Sequence, residues 1–388
     1  MSSGPATLLR RRDEPLQASF LELFFDLSFV FALRQLSVVL LDDVSLAGAA
    51  RTGLLLLPLW SVWVVTAWFT DWFDRDNRWI QALLVGATLG VLLMSVAVPE
   101  ATGDRALLFA GAYVVLHVGR SLVTAVSLRG HPLRRRTLRI LVWFVASGVL
   151  WLTGAVWPPG RVPLWVLAAG WDLAGPHLGW PVPGLGRAQP GELRLRGRHL
   201  TDRFQQVFIV ALGELVIAAG LAYASTGLAP PESIAFLLAF AAAVLIGRLY
   251  VRPAGPRLGA AIDERNPARF ATLTGNLHGI MIAGVLGTSV AADLVITHPV
   301  EVESTAATVL TAVGPALFLT GRIALSAVVY RRWSWSRLLG LPALLAIALA
   351  GRFAPLLVVT AATVGVLLAV ALAERRPAVP ARRSGVRA

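Results

Sequence analysis

Phe20-Leu-Glu22-Leu-Phe-Phe-Asp26-Leu-Ser-Phe-Val-Phe-Ala-Leu-Arg34-Gln-Leu-Ser-Val-Val-Leu-Leu41 is an apolar run interrupted by three charged side chains. At 1.5 Å per residue a helix over this stretch is about 33 Å long, enough to cross a hydrocarbon core of roughly 30 Å. Glu22 and Asp26 are four apart, so both acids lie on one helical face about a turn from its start; Arg34 lies some three turns in. A charge inside a span costs about 2.5–3.5 kcal/mol on insertion scales, so these three groups call for partners on other helices. Arg10-Arg11-Arg12 ahead of the run resembles the start of a signal peptide. The embedded Glu22, Asp26 and Arg34, with no convincing small-residue cleavage site after them, make it instead a retained first helix.

The rest of the chain repeats the pattern. Of 388 residues, 56% are hydrophobic and 15% charged, and the mean hydropathy is +0.69; a soluble domain carries about 25% charged residues. Apolar blocks fall at roughly 20–41, 54–70, 80–98, 105–126, 138–156, 162–180, 203–221, 233–251, 270–296, 306–329, 336–350 and 355–373. Backbone in lipid must satisfy its own hydrogen bonds, so the blocks are helices. The fold class is therefore all-α, a polytopic integral membrane protein of about twelve transmembrane helices. The last two blocks are separated only by a short break at Gly351-Arg352, and a re-entrant hairpin is the alternative reading there.

Charge placement orients the chain. All 35 basic residues are arginine, and 27 of them fall in the two tails and the even-numbered loops, against 4 in the odd-numbered loops. The positive-inside rule then puts both termini on the cytoplasmic side of the plasma (inner) membrane. The net charge of +13 follows this alternation and forms no groove-shaped patch, so nucleic acid is not an expected partner; the lipid bilayer is. With no cysteine, thiolate metal sites, disulfides and cysteine nucleophiles are excluded. The chain divides into a tail (1–19), a six-helix half (20–180), a linker (181–202), a second six-helix half (203–373) and a basic tail (374–388). Phe29-Val-Phe-Ala-Leu33 matches Phe208-Ile-Val-Ala-Leu212, and Gly119-Arg120 echoes Gly321-Arg322, as two parallel six-helix repeats predict.

Polar groups inside the spans mark the candidate pathway. Beside Glu22, Asp26 and Arg34, the seventh span opens with His199, Asp202, Arg203 and Gln206 as a polar stripe and carries Glu214 about eleven residues in. Asp172 is similarly deep in span six, and Arg34 is expected to pair with Glu214 or Asp172. His278 sits beside a small-residue face of Gly275, Gly279, Ala283 and Gly287; it is either a hydrogen-bonding group at a tight crossing or a proton carrier. Arg120 and Arg248 are expected to snorkel, Asp293 to be interfacial, Trp60, Trp63, Trp68, Trp72 and Trp79 to form an interfacial belt, and Asp71 to Arg78 to be a compact turn. The six histidines have no metal-ligand spacing and no phosphate-binding or nucleophile motif occurs, so neither metal nor cofactor is expected.

The first and seventh spans carry a resemblance. The run from Phe20 to Ala32 resembles the opening motif of the low temperature requirement A (LtrA) family of bacterial membrane proteins. His199-Leu-Thr-Asp202-Arg203-Phe with Ile209-Val-Ala-Leu-Gly213-Glu214 is similar to that family's second signature. Stretches around Trp63 to Asp76, Tyr113, Asp172 and Asn276 to Gly279 follow the family's order. Three positions depart from it: Asp202 stands for the usual acid before Arg203, Asn276 for an aromatic, and Tyr250-Val251 for a Tyr-Phe pair. The resemblance implies a multi-spanning membrane protein and leaves its activity open. The residues themselves favour a transporter or channel for protons, ions or a small solute, lined by helices one and seven. An enzyme acting on a lipid-linked substrate and a membrane-state sensor or scaffold are the alternatives.

Overall fold

The computed structural model describes residues 9, 18–74, 76–188, 192, 196–251, 258–259, 267–302, 304–331 and 333–374. Most of both tails, with Arg10-Arg11-Arg12 and the C-terminal arginines, lie outside the described residues, as do Arg75, Arg332, parts of the central linker and most of the loop before the ninth helix.

Twelve helices are described: α1 (Phe20–Asp42), α2 (Leu46–Trp72), α3 (Arg78–Ala97), α4 (Ala106–Ser127), α5 (Leu133–Val156), α6 (Arg161–Leu178), α7 (Gly197–Ala224), α8 (Pro230–Val251), α9 (Pro267–Thr297), α10 (Thr305–Tyr330), α11 (Trp335–Ala350) and α12 (Leu356–Ala373). Eleven are long and apolar enough to cross a membrane; α6, diluted by Arg161, Asp172 and His177 over 18 residues, is the exception. α11 and α12 both qualify as spans.

Local chemistry sets the ends. Ser19 starts α1 with a capping box: its hydroxyl accepts from the Glu22 amide, and Glu22 reaches back to accept from the Ser19 amide at 2.7 Å. Ser45, Asn77 and Ser304 cap α2, α3 and α10 in the simpler way. Gly179 closes α6 at φ +74°, a left-handed position that suits glycine. Within α4, Val115–Gly119 forms a π-helical turn directly before Arg120, which resets the direction of every later side chain on that helix.

The packing follows one neighbour scheme twice. In the first half α1 lies against α2 and α3, α3 against α4, α4 against α5, and α6 against α5 and α2; α7 to α12 repeat those adjacencies in order. α1 and α7 then join the halves. Their side-chain contacts, Glu22 with His199, Asp26 with Arg203 and Ser37 with Glu214, are all 177 residues apart. A constant separation of this kind means two helices running the same way in fixed register. α9 and α10 approach backbone to backbone: a Cβ on Gly284 would sit 2.5 Å from the Phe318 amide nitrogen and one on Gly314 2.6 Å from that of Thr288. The predicted small-residue face is split: Gly279 makes room for Trp60 of α2, while Gly287, with Gly284, faces Gly314.

Candidate functional site

Where α1 and α7 begin and α2 ends, five ionisable side chains meet, none more than 2% exposed: Glu22, Asp26, Asp71, His199 and Arg203. Helical spacing turns each set inward. Glu22 and Asp26 are one turn apart on α1, and His199 and Arg203 one turn apart on α7; on α2, Trp63 and Asp71 are two turns apart. The Arg203 guanidinium grips Asp26 with both terminal nitrogens, at 2.7 and 2.8 Å, and the Trp63 indole donates to the same carboxylate at 2.8 Å. Gln206 accepts a further bond from Arg203 at 3.2 Å.

His199 lies between two carboxylates, with Nε2 3.0 Å from Glu22 and Nδ1 3.0 Å from Asp71. The second Asp71 oxygen accepts from the Arg196 amide at 2.8 Å. A neutral imidazole has one N–H and an ionised carboxylate only accepts, so both bonds exist together only if the unit holds an extra proton, on the ring or on an acid. With the ring cationic, the cluster still counts three acids against two cations. Among the described residues no group of His, Asp and Glu is arranged to hold a metal ion; the nitrogens of His199 point apart rather than converging on one point.

Further along the same helices, past the buried side chains of Phe29, Leu33, Leu36, Val207, Phe208 and Ala211, a second polar tier appears. Glu214 is fully buried and accepts from Ser37 at 2.9 Å. Arg34 lies 3.8 Å from Asp293 on α9. The expected pairing of Arg34 with Glu214 or Asp172 is thus corrected: Ser37 meets Glu214, while Arg34, a turn earlier, reaches across to α9. Asp293, expected to be interfacial, is the partner of Arg34 in this second tier.

Asp172 belongs elsewhere. One of its oxygens accepts from Tyr113 at 2.7 Å, Ser147 at 2.8 Å and Trp151 at 3.2 Å. It lines a cavity of about 50 Å³ walled by Trp60, Tyr113 and Trp151. His278 donates through Nδ1 to the Thr274 carbonyl at 2.8 Å, pairs with the Tyr250 hydroxyl at 3.1 Å and stacks on Phe204. Both of its nitrogens are engaged, the arrangement of a hydrogen-bonding group at a tight crossing. Asp202 is half-buried on α7 and stays outside the cluster.

Several expectations are corrected. Trp60, Trp63 and Trp68 are buried; Trp60 donates to the Gly275 carbonyl, and Trp79 is exposed. Arg120 does not snorkel: it is buried against Thr66 and His117, whereas Arg248 is exposed. α2 runs on to Trp72, so Asp71 is helical and buried rather than part of a turn. Arg203 was counted with the loop arginines and is instead half of an ion pair.

The sequence profile of the bacterial low temperature requirement A protein (LtrA) matches residues 17–372. An uncharacterized protein of Rhizobium meliloti (strain 1021) is 33% identical over 374 residues, covering 95% of this chain and 91% of the relative. No solved structure matches. The chain belongs to the bacterial low temperature requirement A family.

Proposed function

We propose that this member of the low temperature requirement A family is a proton-coupled membrane transporter held here in a closed state. The observation that carries this reading is the Glu22–His199–Asp71 unit, a buried site whose two hydrogen bonds require a proton where the two halves meet. Intramembrane ionisable groups on repeat-related helices are the usual makings of a proton relay. Arg203 and Asp26 fix the register of α1 on α7, and Glu214 with Ser37, Arg34 and Asp293 forms a second station beyond an apolar plug. The transported species is a proton together with an ion or small solute. The duplicated neighbour scheme supports two six-helix repeats that rock against each other at α1 and α7. The arginine-rich face, with both tails, is assigned to the cytoplasmic side of the plasma membrane because the tails and even-numbered loops carry 26 arginines, once Arg203 is set aside, against 4 in the odd-numbered loops.

Complete burial of the cluster favours one competing reading, a static clamp between halves. An enzyme acting on a lipid-linked substrate is less favoured, because His199 and Arg203 have no surface for a substrate to reach.

The test is proton movement in proteoliposomes holding a pH-sensitive dye, with the membrane potential clamped and a panel of ions and solutes outside. Wild-type protein is expected to acidify the lumen with at least one of them. Glu22→Gln and Asp71→Asn proteins that elute as folded monodisperse particles should lose tenfold or more of that rate. Folded variants that move protons as wild type does, or a wild type inert throughout the panel, would leave the clamp as the better reading.

A further inference from the structure

A second cavity, of about 70 Å³, lies at the arginine-rich end of the bundle between the last turns of α2 and α4 and the first turns of α5. Two buried arginines line it, Arg120 (8% exposed) and Arg136 (5% exposed), and none of its described lining residues is acidic. Elsewhere the buried arginines find oxygen in other ways. Arg203, Arg139 and Arg337 each meet a carboxylate, from Asp26, Glu192 and Glu374; Arg161 is held by backbone carbonyls, and Arg322 by the Leu249 carbonyl and the Tyr250 ring.

The two at this cavity are served differently. Arg120 bonds only neutral groups, Thr66 Oγ1 at 2.9 Å and His117 Nδ1 at 3.0 Å. Arg136 lies flat over the Trp72 ring, its guanidinium carbon 3.3 Å from the ring centroid, and gives one nitrogen to the Glu192 carbonyl at 3.1 Å. Among the described residues its Nε and second terminal nitrogen have no hydrogen-bond partner, and neither does the indole nitrogen of Trp68, which is 4% exposed on the same cavity. Arg120 is kept from water with no carboxylate among its partners, and the one carboxylate near Arg136, that of Glu192, is already paired with Arg139. With three unused N–H donors beside them, the two guanidiniums describe an oxyanion site that lacks its oxyanion. Ser121, Thr124 and Thr137 add hydroxyls, and the rest of the wall is apolar, with Phe69, Phe73, Leu133 and Ile140 among its residues.

We infer that this cavity binds an amphiphilic oxyanion: a phosphate or carboxylate head held by Arg120, Arg136 and Trp68, with an apolar tail along α5. The volume suits the head and its first methylenes, being about half that of a 150 Å³ cavity that admits benzene. The site is separate from the Glu22–His199–Asp71 unit, and its occupancy does not depend on transport.

The experiment measures binding of dodecyl phosphate to the full chain in a neutral detergent, by calorimetry and by thermal stabilisation, with dodecanol and inorganic phosphate as half-ligands. Wild type should bind dodecyl phosphate at least tenfold more tightly than either half-ligand. Arg136→Gln and Arg120→Gln should each weaken it tenfold or more, and Arg352→Gln, at the opposite end, should not. Because losing a buried arginine can impair folding, Thr124→Leu is a second probe; it fills the cavity without changing charge and should also weaken binding. Native mass spectrometry of protein taken from membranes identifies the source. Retained anionic phospholipid that Arg136→Gln releases marks a lipid ligand, and dodecyl phosphate binding without retained lipid marks a soluble amphiphile; either supports the site. No binding by wild type up to millimolar concentration, equal binding of inorganic phosphate, or variants within twofold of wild type would overturn it.

Discussion

Replacing Asp26 with leucine strands the Arg203 guanidinium in an interior where its carboxylate supplied two of the hydrogen bonds to it, at 2.7 and 2.8 Å, and also strands the Trp63 indole N–H. Breaking a buried ion pair from one side costs about 3–5 kcal/mol, because the remaining charge is desolvated. Of its carboxylate contacts Arg203 would keep only the longer one to Glu22, 3.8 Å from its Nε, which places the cost toward the lower end. Arg203→Met should cost a similar amount, since it leaves Asp26 ionised beside Glu22. Removing both charges together should cost far less, about 1–2 kcal/mol, because an apolar pair of similar volume replaces a pair whose Coulomb energy was largely offset by desolvation. The coupling drawn from the four proteins should therefore be at least 2 kcal/mol, above the roughly 0.6 kcal/mol average of interhelical hydrogen bonds in membrane double-mutant cycles. Reversible unfolding in mixed micelles with a rising fraction of denaturing detergent gives the four free energies. Single variants that each cost under about 1 kcal/mol, or a double variant costing their sum, would show that the α1–α7 register does not rest on this pair.

Two further outcomes test the geometry by the same unfolding measurement. Asp172→Asn retains an oxygen for Tyr113, Ser147 and Trp151 and should stay within about 1 kcal/mol of wild type, whereas Asp172→Ala leaves three donors unserved and should lose about 2–4 kcal/mol. Gly284→Val drives a side chain into the backbone of α10 and should cost about 3 kcal/mol or prevent folding, while Gly365→Ala, with nothing within 4 Å of the new carbon, should be neutral or slightly stabilising.

The membrane fold was legible because apolar length is a one-dimensional property, and twelve helices stand close to the twelve apolar blocks. Half of the central cluster was legible too: Glu22 with Asp26 and His199 with Arg203 are fours on a helix, which periodicity alone turns to one face. Partner choice between helices was not. Nothing in the spacing of α1 says that Ser37 rather than Arg34 meets Glu214, or that Arg34 finds Asp293, because those contacts depend on interhelical register and rotation. Asp71 was hidden for another reason. It opens a string of alternating charges, Asp71 to Arg78, that has the composition of a turn, and only the continuation of α2 to Trp72 turns it into the third member of the proton-holding unit. The tryptophans of α2 misled through the same gap: interfacial belts and buried indoles have one composition, and what separates them is whether an acceptor such as Asp26 or the Gly275 carbonyl lies opposite.

The fixed separation along α1 and α7 also carries a consequence for biosynthesis. Every acid of the cluster is on α1 or α2, and both of its cations are on α7, so Glu22 is made 177 residues before His199 and Asp71 128 residues before it. At about 5–20 residues per second, a ribosome leaves Glu22 waiting roughly 9–35 s for its counter-charge. During that interval α1 and α2 hold three carboxylates with no cluster cation to meet them, and in a chain that stops before Gly197 they stay hydrated or take up protons instead. Arrival of α7 thus supplies the counter-charges that let α1 and α2 bury their acids, so the first half reaches its final packing only once the second has begun.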